Sequence, residues 1–114
     1  MEYKEEVSLE EAKEIAKVSR KAFVLAENYA DLELVAELLG MGEGEVAMLD
    51  MDDVYPLVME FGEEEELKAK ASKYSNSVII CPHGNTSLKL VRAIKMVGVG
   101  AYSLKGGVAE LKKR

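Results

Sequence analysis

Apolar residues follow helical spacing in some stretches of the chain and form short continuous runs in others. Leu9, Ala12, Ile15 and Ala16 recur at the three-and-four spacing of one helix face. Ser8 stands before them and Glu11 follows three residues later, so a capping box is expected with Ser8 as N-cap. Residues 6–7 are expected to pair as a short edge strand. Arg20-Lys21 closes the first helix, and residues 22–26, Ala-Phe-Val-Leu-Ala, read as a short buried strand. A second stripe of Leu32, Val35, Ala36 and Leu39 follows. Asp31 is its expected cap and Gly40 its expected C-terminal stop. After the loop Met41-Gly42-Glu43-Gly44, residues 46–49 read as the next strand. Residues 50–53 turn the chain, and Val54, Leu57, Val58 and Phe61 indicate a short helix, with Pro56 expected in its first turn.

The second half repeats the alternation. Residues 63–66 are all Glu, and Lys68, Lys70 and Lys73 follow, with Leu67, Ala71 and Tyr74 facing inward. Acid at the front and base at the back complement the dipole of one solvated helix that ends at Asn76. Val78-Ile79-Ile80 is a continuous β-forming run, expected as an interior strand. In residues 88–97, Lys89, Arg92 and Lys95 or Met96 share one side, and the other positions are mostly apolar. Such alternation predicts an α/β fold: a central parallel sheet of about 4–5 strands flanked by helices on both faces. The 114 residues are expected to form one domain, 1–114.

Charge divides the chain. Residues 1–70 hold 7 Lys+Arg against 20 Asp+Glu, a net −13; residues 71–114 hold 8 against 1, a net +7, giving −6 in all. The acidic half argues against generic nucleic-acid binding, so no nucleic-acid partner is expected. The basic half favours anionic ligands. No apolar run reaches the length of a membrane span, so no membrane partner is expected. Met1-Glu2-Tyr3-Lys4-Glu5-Glu6 lacks the apolar core of a secretory signal. One cysteine cannot form an internal disulfide, which fits a cytoplasmic location and leaves the thiol free.

That cysteine, Cys81, ends the Val78-Ile79-Ile80 run. The loop Pro82-His83-Gly84-Asn85-Thr86 follows, and Ser87 opens the next helical segment. Successive loop amides before a helix N-terminus can converge on one spot, where the helix dipole adds positive potential. A thiol there is pushed toward the thiolate. Ligands of parallel sheets also sit beyond the carboxyl ends of strands, and Cys81 lies at such an end.

Cys81-Pro82-His83-Gly84-Asn85-Thr86-Ser87 resembles the active-site loop of the rhodanese superfamily, Cys-x-x-Gly-x-x-Ser, most of all that of small single-domain thiosulfate sulfurtransferases. Residues 98–111 resemble the family's closing pattern of a short strand, a Gly-Gly turn at Gly106-Gly107 and a last helix. The resemblance covers residues 77–111 and implies a rhodanese-like fold. The first half departs from it: Leu25-Ala26-Glu27-Asn28 replaces the family's Asp-x-Arg, and Met41 stands in place of a His. Leu111 replaces a usual Trp, and Thr86 replaces a common loop Arg.

The resemblance implies a sulfurtransferase that needs no cofactor. Cys81 would take sulfur from a small anionic donor such as thiosulfate and pass it as a persulfide to cyanide or to a small or protein-borne thiol. Pro82, His83, Gly84, Asn85, Thr86 and Ser87 would form the substrate loop, with His83 and Lys89 in place of the missing Arg. Pro82 has no N–H to offer, Gly84 permits an unusual backbone angle, and Ser87 is expected to cap the helix. A lone His with a lone Cys is no metal site. A phosphatase or arsenate reductase of the same fold would close a longer loop with Arg, where Ser87 stands. The alternative is a non-catalytic rhodanese-like module that binds a protein or carries sulfur passively.

Overall fold

The computed structural model describes residues 4–113, with the side chain of Glu43 outside the description. Among the described residues, five parallel strands form one sheet in the order β1-β5-β4-β2-β3. They are β1 (Glu6–Val7), β2 (Ala22–Val24), β3 (Val46–Met48), β4 (Val78–Ile80) and β5 (Tyr102–Leu104). Six α-helices among the described residues connect or follow them: α1 (Leu9–Ser19), α2 (Tyr29–Leu39), α3 (Met51–Met59), α4 (Glu64–Ser72), α5 (Asn85–Met96) and α6 (Gly107–Lys112). A 3-10 turn, Glu43–Glu45, precedes β3. The expected α/β class, strand number and parallel sense are observed, with β1 at one edge and β4 in the interior.

Strand alternation divides the core between two faces. Val78 and Ile80 of β4, with Ala22 and Val24 of β2, pack with Ala12 and Ile15 of α1, Val35 and Leu39 of α2, and Val108 and Leu111 of α6. Ile79 and Phe23 point the other way, among Val54 and Leu57 of α3, Ala71 and Tyr74 from and just beyond α4, and Leu90 and Ile94 of α5. Helices therefore cover both faces. β4 is fully buried because each face of its backbone meets one of these layers.

Local chemistry sets the boundaries. Ser8 and Glu11 form the expected capping box at α1. At α2 the expected cap is corrected: Asn28 Oδ1 accepts the Asp31 amide at 3.1 Å, so the helix starts three residues before Leu32. Asp31 is instead buried and paired with Lys112 at 3.0 Å. Gly40 ends α2 in the left-handed conformation, as expected. Pro56 is not in the first turn of α3, because Asp50 caps the helix and begins it at Met51. The proline ring leaves the Asp52 carbonyl without its helical donor, and Lys70 Nζ reaches that carbonyl at 3.3 Å. Phe61 is also displaced from the expected inward stripe: α3 ends at Met59, Glu60 turns left-handed, and Phe61 is exposed.

The α3–α4 side is tied by Asp53. Its carboxylate accepts the Tyr74 hydroxyl at 2.8 Å and Lys73 Nζ at 3.1 Å, with Lys70 Nζ at 3.6 Å. Burial works against the charged carboxylate, but the Tyr74 and Lys73 bonds outweigh it and hold its pKa below the ordinary value. Burial and the same carboxylate push the Tyr74 hydroxyl up. A depressed carboxylate contributes stability that is complete above the unfolded value, about 3.9, and is lost as pH falls through the folded value. Chemical denaturation at a series of acidic pH values should show stability falling over this window. Asp53→Asn is expected to be less stable near neutrality and to lose less as pH falls. Equal acid slopes in the two proteins would remove Asp53 from this role.

Candidate functional site

The site is built where β4 stops. Its buried run delivers Cys81 to the carboxyl edge of the sheet, and the loop then bends across the first turn of α6. Val108 donates its amide to the Cys81 carbonyl at 2.9 Å, and Ala109 donates to the Pro82 carbonyl at 2.9 Å. The Gly106-Gly107 turn makes this approach close. A Cβ on Gly107 would lie 2.0 Å from the Cys81 carbonyl oxygen, 2.7 Å from the Gly84 nitrogen and 2.9 Å from the His83 nitrogen. The sequence pattern of loop and Gly-Gly turn is therefore one physical unit.

The loop closes over the sulfur from the other side. Gly84, at φ +87°, is the N-cap of α5 and sends its amide to Cys81 Sγ at 3.1 Å. The Ser87 amide reaches the same sulfur at 3.3 Å, and the Ser87 hydroxyl lies 3.3 Å from it. A neutral thiol donates to that hydroxyl; a thiolate accepts from it. The N-cap amide and one amide of the first helical turn thus face one sulfur at the positive end of the helix dipole. Cys81 is only 1% exposed, so the loop encloses the sulfur.

Ser87 does not cap α5. The helix begins at Asn85, and Ser87 lies inside its first turn, fully buried, with amide and hydroxyl both turned to the sulfur. Its hydroxyl also bonds Ser103 Oγ at 2.6 Å, completing a buried chain from Cys81 to β5. Ser103 is a site residue that the loop pattern does not indicate. Its signal lay in strand alternation: Tyr102 and Leu104 face one layer, which leaves a serine as the inward residue on the other. Register with Ile79 then places it on the α5 face.

The other proposed residues separate in space. Pro82 and His83 line a cleft of about 230 Å³ together with Glu27, Asp31, Val108, Ala109 and Lys112. His83 is exposed at the loop tip, while Thr86 is half-buried and Asn85 exposed in the first turn of α5. Lys89 is exposed one turn further along the helix and is not part of the cleft lining. A wider cleft of about 710 Å³ runs past β1 and α5, where Glu5 meets Lys95 at 3.2 Å, and it contains no residue of the cysteine loop. Among the described residues no group of three His, Cys, Asp or Glu side chains is placed to hold a metal ion. Nor is any described helix long and apolar enough to cross a membrane.

No protein-family model matches the sequence, and neither a curated protein nor a solved structure matches it.

The serine chain has a measurable consequence. Ser87→Ala leaves the Ser103 hydroxyl buried without this partner, and Ser103→Ala leaves the Ser87 hydroxyl with only the Cys81 sulfur. Each substitution is expected to cost about 1–3 kcal/mol in denaturant unfolding, the penalty for a buried polar group that loses its bond. The double variant should cost clearly less than the two losses added, because the second substitution removes the orphaned partner. Strict additivity would show that the two hydroxyls are not coupled.

Proposed function

We propose that the protein is a sulfurtransferase of rhodanese type in which Cys81 carries the transferred sulfur. One observation supports this most: Cys81 Sγ sits between the Gly84 and Ser87 amides, at the junction of a parallel strand and a helix N-terminus. These donors suit an anionic sulfur better than a neutral thiol. The loop and Gly-Gly turn resembling the rhodanese pattern also pack together around it.

In the proposed reaction, the Cys81 thiolate attacks the outer sulfur of thiosulfate. A new S–S bond forms, the S–S bond of the donor breaks, and sulfite leaves with the bonding pair. The product is an anionic persulfide on Cys81. Cyanide or an acceptor thiolate then attacks the outer sulfur, the cysteine–sulfur bond breaks, and the Cys81 thiolate returns. Both steps conserve charge and need no external reductant. Because Cys81 is enclosed, the loop must open to admit the donor, and the His83 side of the cleft is the proposed approach. In a steady-state assay, thiosulfate and cyanide should yield thiocyanate with ping-pong kinetics. Absence of thiocyanate with thiosulfate, a persulfidated thiol and mercaptopyruvate as donors would count against the enzyme.

The burial of Cys81 favours a second reading, a non-catalytic module of the same family type that binds a protein. Buried structural cysteines are inert. Wild-type protein that alkylates at Cys81 only on unfolding, and accepts no sulfur while folded, would support that reading.

A further inference from the structure

Among the described residues, eight large apolar side chains are exposed, and five of them fall between Met48 and Phe61. Met51, Tyr55 and Met59 are 46%, 63% and 60% exposed and recur every fourth residue along α3. At that spacing they form one continuous stripe. The opposite side of α3 is already used, with Val54 and Leu57 buried in the core. The helix is therefore apolar on two sides, of which the fold covers one. Met48, at the end of edge strand β3, and Phe61, just beyond the helix, are also exposed.

The charge around this stripe selects its occupant. Between Val46 and Leu67 there are eight carboxylates and no Lys or Arg. Asp53 is neutralised by Lys70 and Lys73, whereas Asp50, Asp52, Glu60 and residues 63–66 are exposed. A second copy presenting the same face would set acid against acid across a two-fold interface. A cationic amphipathic segment meets both requirements, with apolar side chains for the stripe and Lys or Arg for its margins. Position gives the stripe a further meaning. α3 starts just after β3, and Cys81 lies just after β4. In a parallel sheet both points are on the same edge, and the β4-β2-β3 order separates the strands by about 10 Å.

We propose that the exposed face of α3, centred on Met51, Tyr55 and Met59, is a docking surface for a basic amphipathic segment of another protein. A partner seated there approaches the sheet edge that carries Cys81. The surface itself does not depend on sulfur transfer, so its test is a binding measurement.

The probe is a fluorescent synthetic amphipathic helix with leucines on one face and lysines on the other. A control peptide has the same leucines and glutamates in place of the lysines. Anisotropy titrations use the full chain and its Tyr55→Ser/Met59→Ser variant. Both replaced side chains are exposed, so the variant should retain the wild-type melting temperature. The lysine peptide is expected to bind wild type saturably, with affinity falling about tenfold or more in the variant. The glutamate peptide should bind at least about tenfold more weakly than the lysine peptide, with added salt narrowing the difference. Absence of saturable lysine-peptide binding would overturn the proposal. Equal binding of both peptides, or equal affinity for wild type and variant, would do the same. A wild-type dimer in sedimentation that the double substitution dissociates would assign the face to a second copy instead.

Discussion

Gly107→Ala is expected to lower stability by about 3 kcal/mol or more, the range reached by severe backbone and packing defects. Two effects combine at this residue. Its φ is +62°, a left-handed conformation that costs a residue with a Cβ about 1 kcal/mol or more. The added methyl would also meet the Cys81 carbonyl oxygen at 2.0 Å, with the Gly84 and His83 nitrogens close behind. These neighbours are backbone atoms, which cannot swing aside as a flexible side chain can. Relief requires α6 and the cysteine loop to separate, breaking the Val108 and Ala109 bonds to the loop carbonyls. Denaturant unfolding gives the loss directly. A Gly107→Ala protein as stable as wild type would show that the loop does not lie on the α6 turn as described. Gly40→Ala is a useful contrast: it also has positive φ, but a Cβ there meets nothing within 4 Å. It should carry the conformational penalty alone.

On the proposed reaction, Cys81→Ser is expected to reduce sulfur transfer from thiosulfate to cyanide by about 10⁴-fold or more, to the level of the uncatalysed reaction, as removal of an essential nucleophile does elsewhere. The exchange is nearly isosteric. The serine oxygen can still accept the Gly84 and Ser87 amides, so the fold should be retained, with a stability change of about 1 kcal/mol. The chemistry cannot be retained, because a serine hydroxyl is far less acidic than a thiol and forms no persulfide. Activity in the serine protein comparable with wild type would exclude Cys81 as the carrier. Parallel unfolding curves for the two proteins are needed to attribute the loss to the missing sulfur.

The strands and helices were legible because their local signals agreed with their tertiary setting. Val78-Ile79-Ile80 reads as a buried strand, and both faces of β4 are covered. Ser8 and Glu11 announce α1, and their reciprocal bonds form. Misreadings arose where two residue types competed for one role. Asn28 and Asp31 can both cap a helix, and the chain uses Asn28 while burying Asp31 against Lys112. The lost amide alone puts Pro56 in a first helical turn, but a lysine 14 residues later reaches the carbonyl that the proline leaves free. Such compensation depends on tertiary contact and has no local signature.

The site was legible to a similar degree. Cys81, Gly84 and Ser87 lie together as the loop pattern indicates, yet Ser87 serves the sulfur from within the helix rather than capping it. Ser103 belongs to a different strand, and only strand order and register bring it under α5. Lys89 follows the loop in sequence, and the helical turn carries it to an exposed position outside the His83 cleft.

The proposal that Cys81 carries sulfur is tested most directly by intact mass. The native protein is incubated with thiosulfate, freed of excess donor, and weighed before and after cyanide. One added sulfur atom is expected, located on the peptide containing Cys81, removed by cyanide and absent in Cys81→Ser. Unchanged mass after exposure to thiosulfate, a persulfidated thiol and mercaptopyruvate would contradict the proposed sulfur-carrying role.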